Sequence, residues 1–190
     1  MLDAKRARGI PTPYLRNINV RWGRVDLTDV LTVPLTEEER ARLSLVSGDL
    51  LVCEGGEPGR CAVWRGGDAS LMTFQKALHR IRVHGSTLRP AYVAAMLEEL
   101  IRSGRADLMF TGTTIKHLPQ EKLRMLEIPV PPVQEQDRIL DSLDSLSSRA
   151  ERFSIDVQAS VTSAPSTAKV SFVRCVLRSP HRPNRLRRHR

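Results

Sequence analysis

The sequence predicts an α+β fold: a domain of short strands and helices, followed by a helix that leaves it. Three patterns carry that expectation. Short apolar or alternating runs are bounded by glycine, proline and asparagine. One amphipathic helix stands out near the middle of the chain. A proline-rich segment then leads into a second helix with heptad spacing.

In chain order, Tyr14–Val20 alternates and reads as a strand, turned by Arg21-Trp22-Gly23-Arg24 into a short strand at Val25–Leu27. Thr36 with Glu39 three residues on forms a capping box, so a short helix runs to about Leu43. Ser47-Gly48-Asp49 is a turn. Leu50–Cys53 and Cys61–Trp64 are strands joined by the glycine-rich loop Glu54–Arg60, and Phe74–Val83 is read as one further strand.

The clearest helix is Pro90–Ser103. Val93, Met96, Leu97, Leu100 and Ile101 fall on one face, Pro90 suits a first turn, and Gly104 suits a C-terminal cap. Thr111–Thr114 is a loop and Leu118–Leu126 a short helix. Ile128-Pro129-Val130-Pro131-Pro132 must be extended, because each proline removes a donor and restricts its predecessor. From Val133 a helix carries Ile139, Leu143, Leu146, Ala150, Phe153 and Val157 at alternating spacings of four and three. Asp141, Ser142, Asp144, Ser145, Ser147 and Ser148 are poor helix formers, so this helix needs a partner. The expected division is a domain over 1–132, the start of a long helix over 133–157, and a disordered basic tail over 158–190.

Composition narrows the function classes. The chain has 190 residues, 41% of them hydrophobic, enough for one ordinary domain and an appendage. No apolar run is long enough for a membrane span, and no apolar stretch follows the basic residues near Met1, so no secretory signal is read. Cys53, Cys61 and Cys175 form no CxxC pair, which fits reduced thiols in the cytoplasm. The net charge of +9 is a property of the tail. After Asp156 there is no acid, and Lys169 with seven arginines accounts for all but one of those charges. Such a tail binds polyanions without reading sequence.

No catalytic constellation emerges. The loop at Glu54–Arg60 lacks the Lys-Ser/Thr pair and following helix of a phosphate-binding loop, so a tight glycine hairpin is the better reading. The histidines at 79, 84, 117, 181 and 189 lack metal-site spacing, and neither metal nor cofactor is expected. Cys53 sits in an apolar strand, where a thiol is inert, and Glu98-Glu99 lies on a solvated helix face. By residue type and placement, Arg21, Trp22, Arg60, Lys76, Arg80, Lys116 and His117 are the candidates for contact with DNA. Taken singly, each fits a solvated surface residue better than a DNA contact.

Five blocks in order resemble the DNA-specificity subunits of type I restriction–modification systems. They are Pro13–Val20, Gly48–Gly56, Gln75–Arg80, Thr111–Leu118, and Ile128–Gln136 leading into Ile139. The last, Ile-Pro-x-Pro-Pro running into Glu-Gln and a helix, is the most specific, and together the blocks cover about residues 9–152. The resemblance implies an α/β target-recognition domain that reads half of a bipartite site in double-stranded DNA. It implies a long spacer helix that docks methyltransferase subunits, with Ile139, Leu143, Leu146 and Phe153 on its docking face, and through them the restriction subunit. It also implies that the chain itself is not an enzyme.

The sequence departs from that pattern. It holds one recognition domain rather than two, lacks the stretch usually preceding the Tyr14 block, and turns polar and Arg-rich where the spacer helix should continue. A truncated copy with a frame-shifted end is the expectation from that change of composition. Two other readings stay open: a degraded remnant that binds polyanions only through its tail, and a small enzyme using Cys53 or His79.

Overall fold

The computed structural model describes residues 9–66 and 71–162. The tail from 163 on, with Cys175 and the arginine cluster, lies outside the described residues, as do the first eight residues and the question of a shifted frame.

The fold is α+β, built on a small central sheet. Strand β1 (Ile10–Leu15) pairs antiparallel with β4 (Leu31–Leu35) and parallel with β7 (Thr73–Phe74). Strands β2 (Val20–Arg21) and β3 (Arg24–Val25) form a hairpin. Its turn, Trp22-Gly23, puts Gly23 at φ 72°, the conformation such two-residue turns require. The central sheet has the order β6 (Cys61–Val63), β5 (Leu50–Cys53), β8 (Leu78–Ile81), all antiparallel.

Strand β5 is buried on both faces. Leu51 and Cys53 join Leu15, Val20, Ala62, Trp64 and Leu78 in one core, while Leu50 and Val52 join Cys61, Val93, Leu97, Leu118 and Leu123 in the other. That double burial is why Leu-Leu-Val-Cys reads as a continuous apolar run with no alternation. Helix α2 (Pro90–Arg102) covers the second core with Val93 and Leu97, and Gly104 follows it at φ 77°. Helix α1 (Glu37–Leu43) has the expected capping box: Thr36 Oγ1 accepts from the Glu39 N–H, and Glu39 Oε2 accepts from the Thr36 N–H. Thr36→Ala is expected to cost about 1 kcal/mol in a denaturant melt.

Three expectations are corrected. The strand read at Tyr14–Val20 ends at Leu15 and passes through a 3-10 turn at Asn17–Asn19. Asn19 is buried; its Oδ1 accepts from the Arg16 N–H, and its Nδ2 donates to the Asp26 and Asp29 carbonyls. A short polar side chain that satisfies the backbone locally displaces the strand. The run Phe74–Val83 splits into β7 and β8, which belong to different sheets. Helix α3 covers only Gln120–Leu123, one turn after Pro119.

Val133 opens helix α4 (Val133–Thr162), after the extended proline segment. It passes the expected end at 157, since no glycine or proline occurs in it before Pro165. Along the heptad stripe Ile139 is half-buried, whereas Leu143, Leu146 and Phe153 are 41%, 58% and 72% exposed. Among the described residues no helix is long and apolar enough to cross a membrane.

Candidate nucleic-acid interface

Four separate segments meet at the end of β5 that follows Cys53. The Glu54 N–H donates to the Ala77 carbonyl, and the Glu54 carbonyl accepts from the Leu118 N–H. The Leu118 carbonyl in turn accepts from His79 Nε2 at 2.7 Å, which fixes the ring hydrogen on Nε2. Asn17 Nδ2 donates to the Gly55 carbonyl, and Arg60 Nη2 donates to the Asn17 carbonyl at 2.9 Å. The loops after β1, β5, β7 and α2 therefore share one hydrogen-bonded floor.

Above that floor stands the loop Thr111–His117. Thr111 and His117 exchange two backbone bonds of 2.9 Å, closing its base, and every residue from 111 to 117 is exposed. Gly112 is at φ 89°, and a Cβ there would lie 2.2 Å from the Ile115 carbonyl oxygen, so the tight bend admits only glycine. The loop presents the Thr113 and Thr114 hydroxyls, an exposed Ile115, and Lys116, whose Nζ lies 5.7 Å from the Phe110 ring centroid. The His117 ring lies over Gly55, where a Cβ would come within 3.1 Å of Nδ1. Exposed Lys76 sits in the β7–β8 loop, beside an open depression of about 580 Å³ shared with Glu54, Phe74, His79 and Glu121.

The seven candidate residues thus fall into distinct groups. Lys76 borders the depression beside Glu54, His117 lies over Gly55, and Lys116 precedes His117 in the exposed loop. Arg60 stands behind them, its guanidinium bound to the Asn17 carbonyl and, at 2.7 Å, to Glu57. Trp22 donates its indole N–H to Glu57 at 2.6 Å and carries Arg102 over its ring at 4.8 Å. That indole bond, followed by Arg60, lowers the Glu57 pKa. Arg60 and Trp22 hold the glycine loop rather than reach outward. Arg80 is turned to the Ser44 carbonyl at 2.7 Å and lies over Phe74, its pKa lowered by burial. Arg21 stands apart on the hairpin, 4.0 Å from Asp26.

The reactive-thiol reading has no geometric support. Cys53 and Cys61 are buried on opposite faces of the central sheet, and burial raises both pKa values, that of Cys61 to about 12.

Residue types alone missed three polar residues that organise the domain: Asn19, Asp49 and Gln136, all buried. Asp49 takes a two-point ion pair from Arg82, 2.7 Å at each oxygen, and accepts the Val46 N–H. Gln136 secures the first turn of α4. Its Oε1 accepts from the Arg89 N–H and its Nε2 donates to the Thr87 and Pro131 carbonyls, all between 2.8 and 2.9 Å. The Ile128–Gln136 block marked the place, and Gln136, three residues before Ile139, continues the stripe of α4, but its polar type argued for the surface.

Residues 64–156 match the family model of the type I restriction modification DNA specificity domain. Among solved structures, a chain from work on complex assembly and conformational transition of the type I R-M system aligns with a TM-score of 0.58 and 17% identity. The alignment covers 83% of this chain and 36% of that one. The HsdS subunit from Thermoanaerobacter tengcongensis aligns with a TM-score of 0.57 and 16% identity, over 80% of this chain and 39% of that one. At such identities the likeness is one of fold. No curated protein matches significantly.

Proposed function

We propose that this chain, whose residues 64–156 match the family model of the type I restriction modification DNA specificity domain, reads one half of a bipartite duplex target. In this reading it is a cytoplasmic, non-catalytic component. Partner methyltransferase subunits dock on α4 and bring the restriction subunit with them.

The observation that carries the reading is the convergence of four of the five sequence blocks at one end of β5. The floor of backbone bonds makes the Thr111–His117 loop a fixed platform, and fixed donors suit a rigid polyanion. Lys76 and Lys116 would neutralise phosphates, while the Thr113 and Thr114 hydroxyls and the exposed Ile115 could meet phosphate oxygens or base edges. Arg60 and Trp22 would act indirectly, by holding the loop that His117 covers.

Selection of bound duplexes from a random pool, with and without a co-expressed methyltransferase subunit, tests the proposal. Enrichment of a short motif supports it. Binding that vanishes when residues 163–190 are removed, with no motif enriched, would leave only the basic tail as binder and defeat it. Lys116→Ala is expected to weaken binding to all sequences alike and to reduce the slope of log affinity against log salt by about 1. A variant with the parent slope would take Lys116 off the phosphate backbone.

A further inference from the structure

The first turns of α4 are joined to the domain by polar bonds rather than by an apolar seam. Beside α2, an open groove of about 450 Å³ lies between Ala91, Ala94 and Ala95 on one side and Leu140, Leu143 and Ser147 on the other. Close contact is concentrated at the start of the helix. There Gln136 is fully buried, and its carboxamide is matched at every point: one acceptor to the Arg89 N–H, two donors to the Thr87 and Pro131 carbonyls. Around it, Arg89 makes a two-point ion pair with Asp137, and the Tyr92 hydroxyl donates to the Pro129 carbonyl.

Two of these bonds reach Thr87 and Arg89 ahead of α2 and the third reaches Pro131 in the helix's own lead-in, so one planar group ties that lead-in to the domain in orientation as well as position. No other side chain of this length offers one acceptor and two donors in that plane. Ile139 and, lining that groove, Leu140 are only half-buried, which leaves the fully buried amide as the fixed point for helix tilt. The Arg89–Asp137 pair is half exposed on both sides and contributes little by itself.

We propose that Gln136 is the positioning residue that sets the direction of α4, and thereby where a docked subunit sits relative to the reading loops. The docking part rests on the function proposed above; the orienting part does not. The latch lies at the other end of β5 from those loops. β5 pairs Leu50 with Ile81, just before the segment that reaches Thr87, and pairs Cys53 with Leu78 at the loop end. A Cβ on Gly48, just ahead of β5, would touch the Pro90 ring at the start of α2.

Spin-label distances in the full chain test the orienting role. With Cys175→Ser to remove the third thiol, labels at Glu38→Cys and Ser147→Cys report the helix direction. Labels at Glu38→Cys and Leu108→Cys report the domain itself; all three labelled sites are exposed. Ser147 lies about 16 Å along the helix from Gln136, so a tilt of about 20° moves its label by about 6 Å.

Gln136→Met keeps the volume and removes all three bonds. It is expected to shift or split the Glu38–Ser147 distribution while the Glu38–Leu108 distribution stays as in the parent. Asp137→Ala should leave both unchanged. An unchanged Glu38–Ser147 distribution in Gln136→Met overturns the proposal. So does equal broadening of both pairs, which would make Gln136 a general stability residue. In parallel, the parent and Gln136→Met should bind duplex DNA equally, with the variant capturing less methyltransferase subunit. If the parent binds no DNA, the proposed function falls while the distances still decide the latch.

Discussion

Asp49→Ala is expected to remove about 3 kcal/mol of stability, lowering the melting midpoint by about 10 °C. The Asp49 carboxylate has no solvent-exposed surface and holds both Arg82 and the Val46 N–H. Losing it leaves a guanidinium and a backbone donor without their partner in a partly dry site. The value is placed at the low end for a broken buried pair because a third of the Arg82 side chain still meets water. Urea unfolding followed by circular dichroism measures it. A loss below about 1 kcal/mol would show that water replaces the carboxylate at little cost.

The second large effect concerns β5. Leu50→Ala and Leu51→Ala should each cost about 3 kcal/mol, although the two side chains point to opposite faces of the sheet. In a sheet with one wet face, one of the two would be nearly silent. Here both are completely buried, one against α2 and the Leu118 segment, the other against β1 and Trp64. Paired denaturant melts decide this, and a difference above about 2 kcal/mol between them would contradict two equal cores.

What could be read in the sequence were the elements whose signals are local. The Thr36–Glu39 box, the Trp22-Gly23 turn, Pro90 at the head of α2 and the prolines before α4 each act over a few residues, and each marks an element boundary in the structure. What failed depends on partners far along the chain. Strand β4 at Leu31–Leu35 carries Pro34, opposite Pro11 of β1, so neither strand looks like one until the two are paired. Thr73–Phe74 and Leu78–Ile81 look continuous because nothing in the run says they join different sheets.

The candidate interface divides the same way. Residue type singled out Lys76, Lys116 and His117, which are exposed on loops, but also Arg60, Arg80 and Trp22, whose engagements come from 35 to 43 residues away. An arginine does not announce whether it faces solvent or a backbone carbonyl. Asn19, Asp49 and Gln136 were overlooked for the converse reason: a polar residue type argues for the surface, and only a complete set of partners reverses that.

The separation of the two ends of β5 has an evolutionary consequence. Substitutions in the Thr111–His117 loop and substitutions around Gln136 share no hydrogen-bond partner, and the strand between them spans roughly 10 Å. Their free-energy effects should therefore add. A lineage could drift to a new target sequence through the loop while inheriting its attachment geometry unchanged, and could alter that geometry without relearning its target.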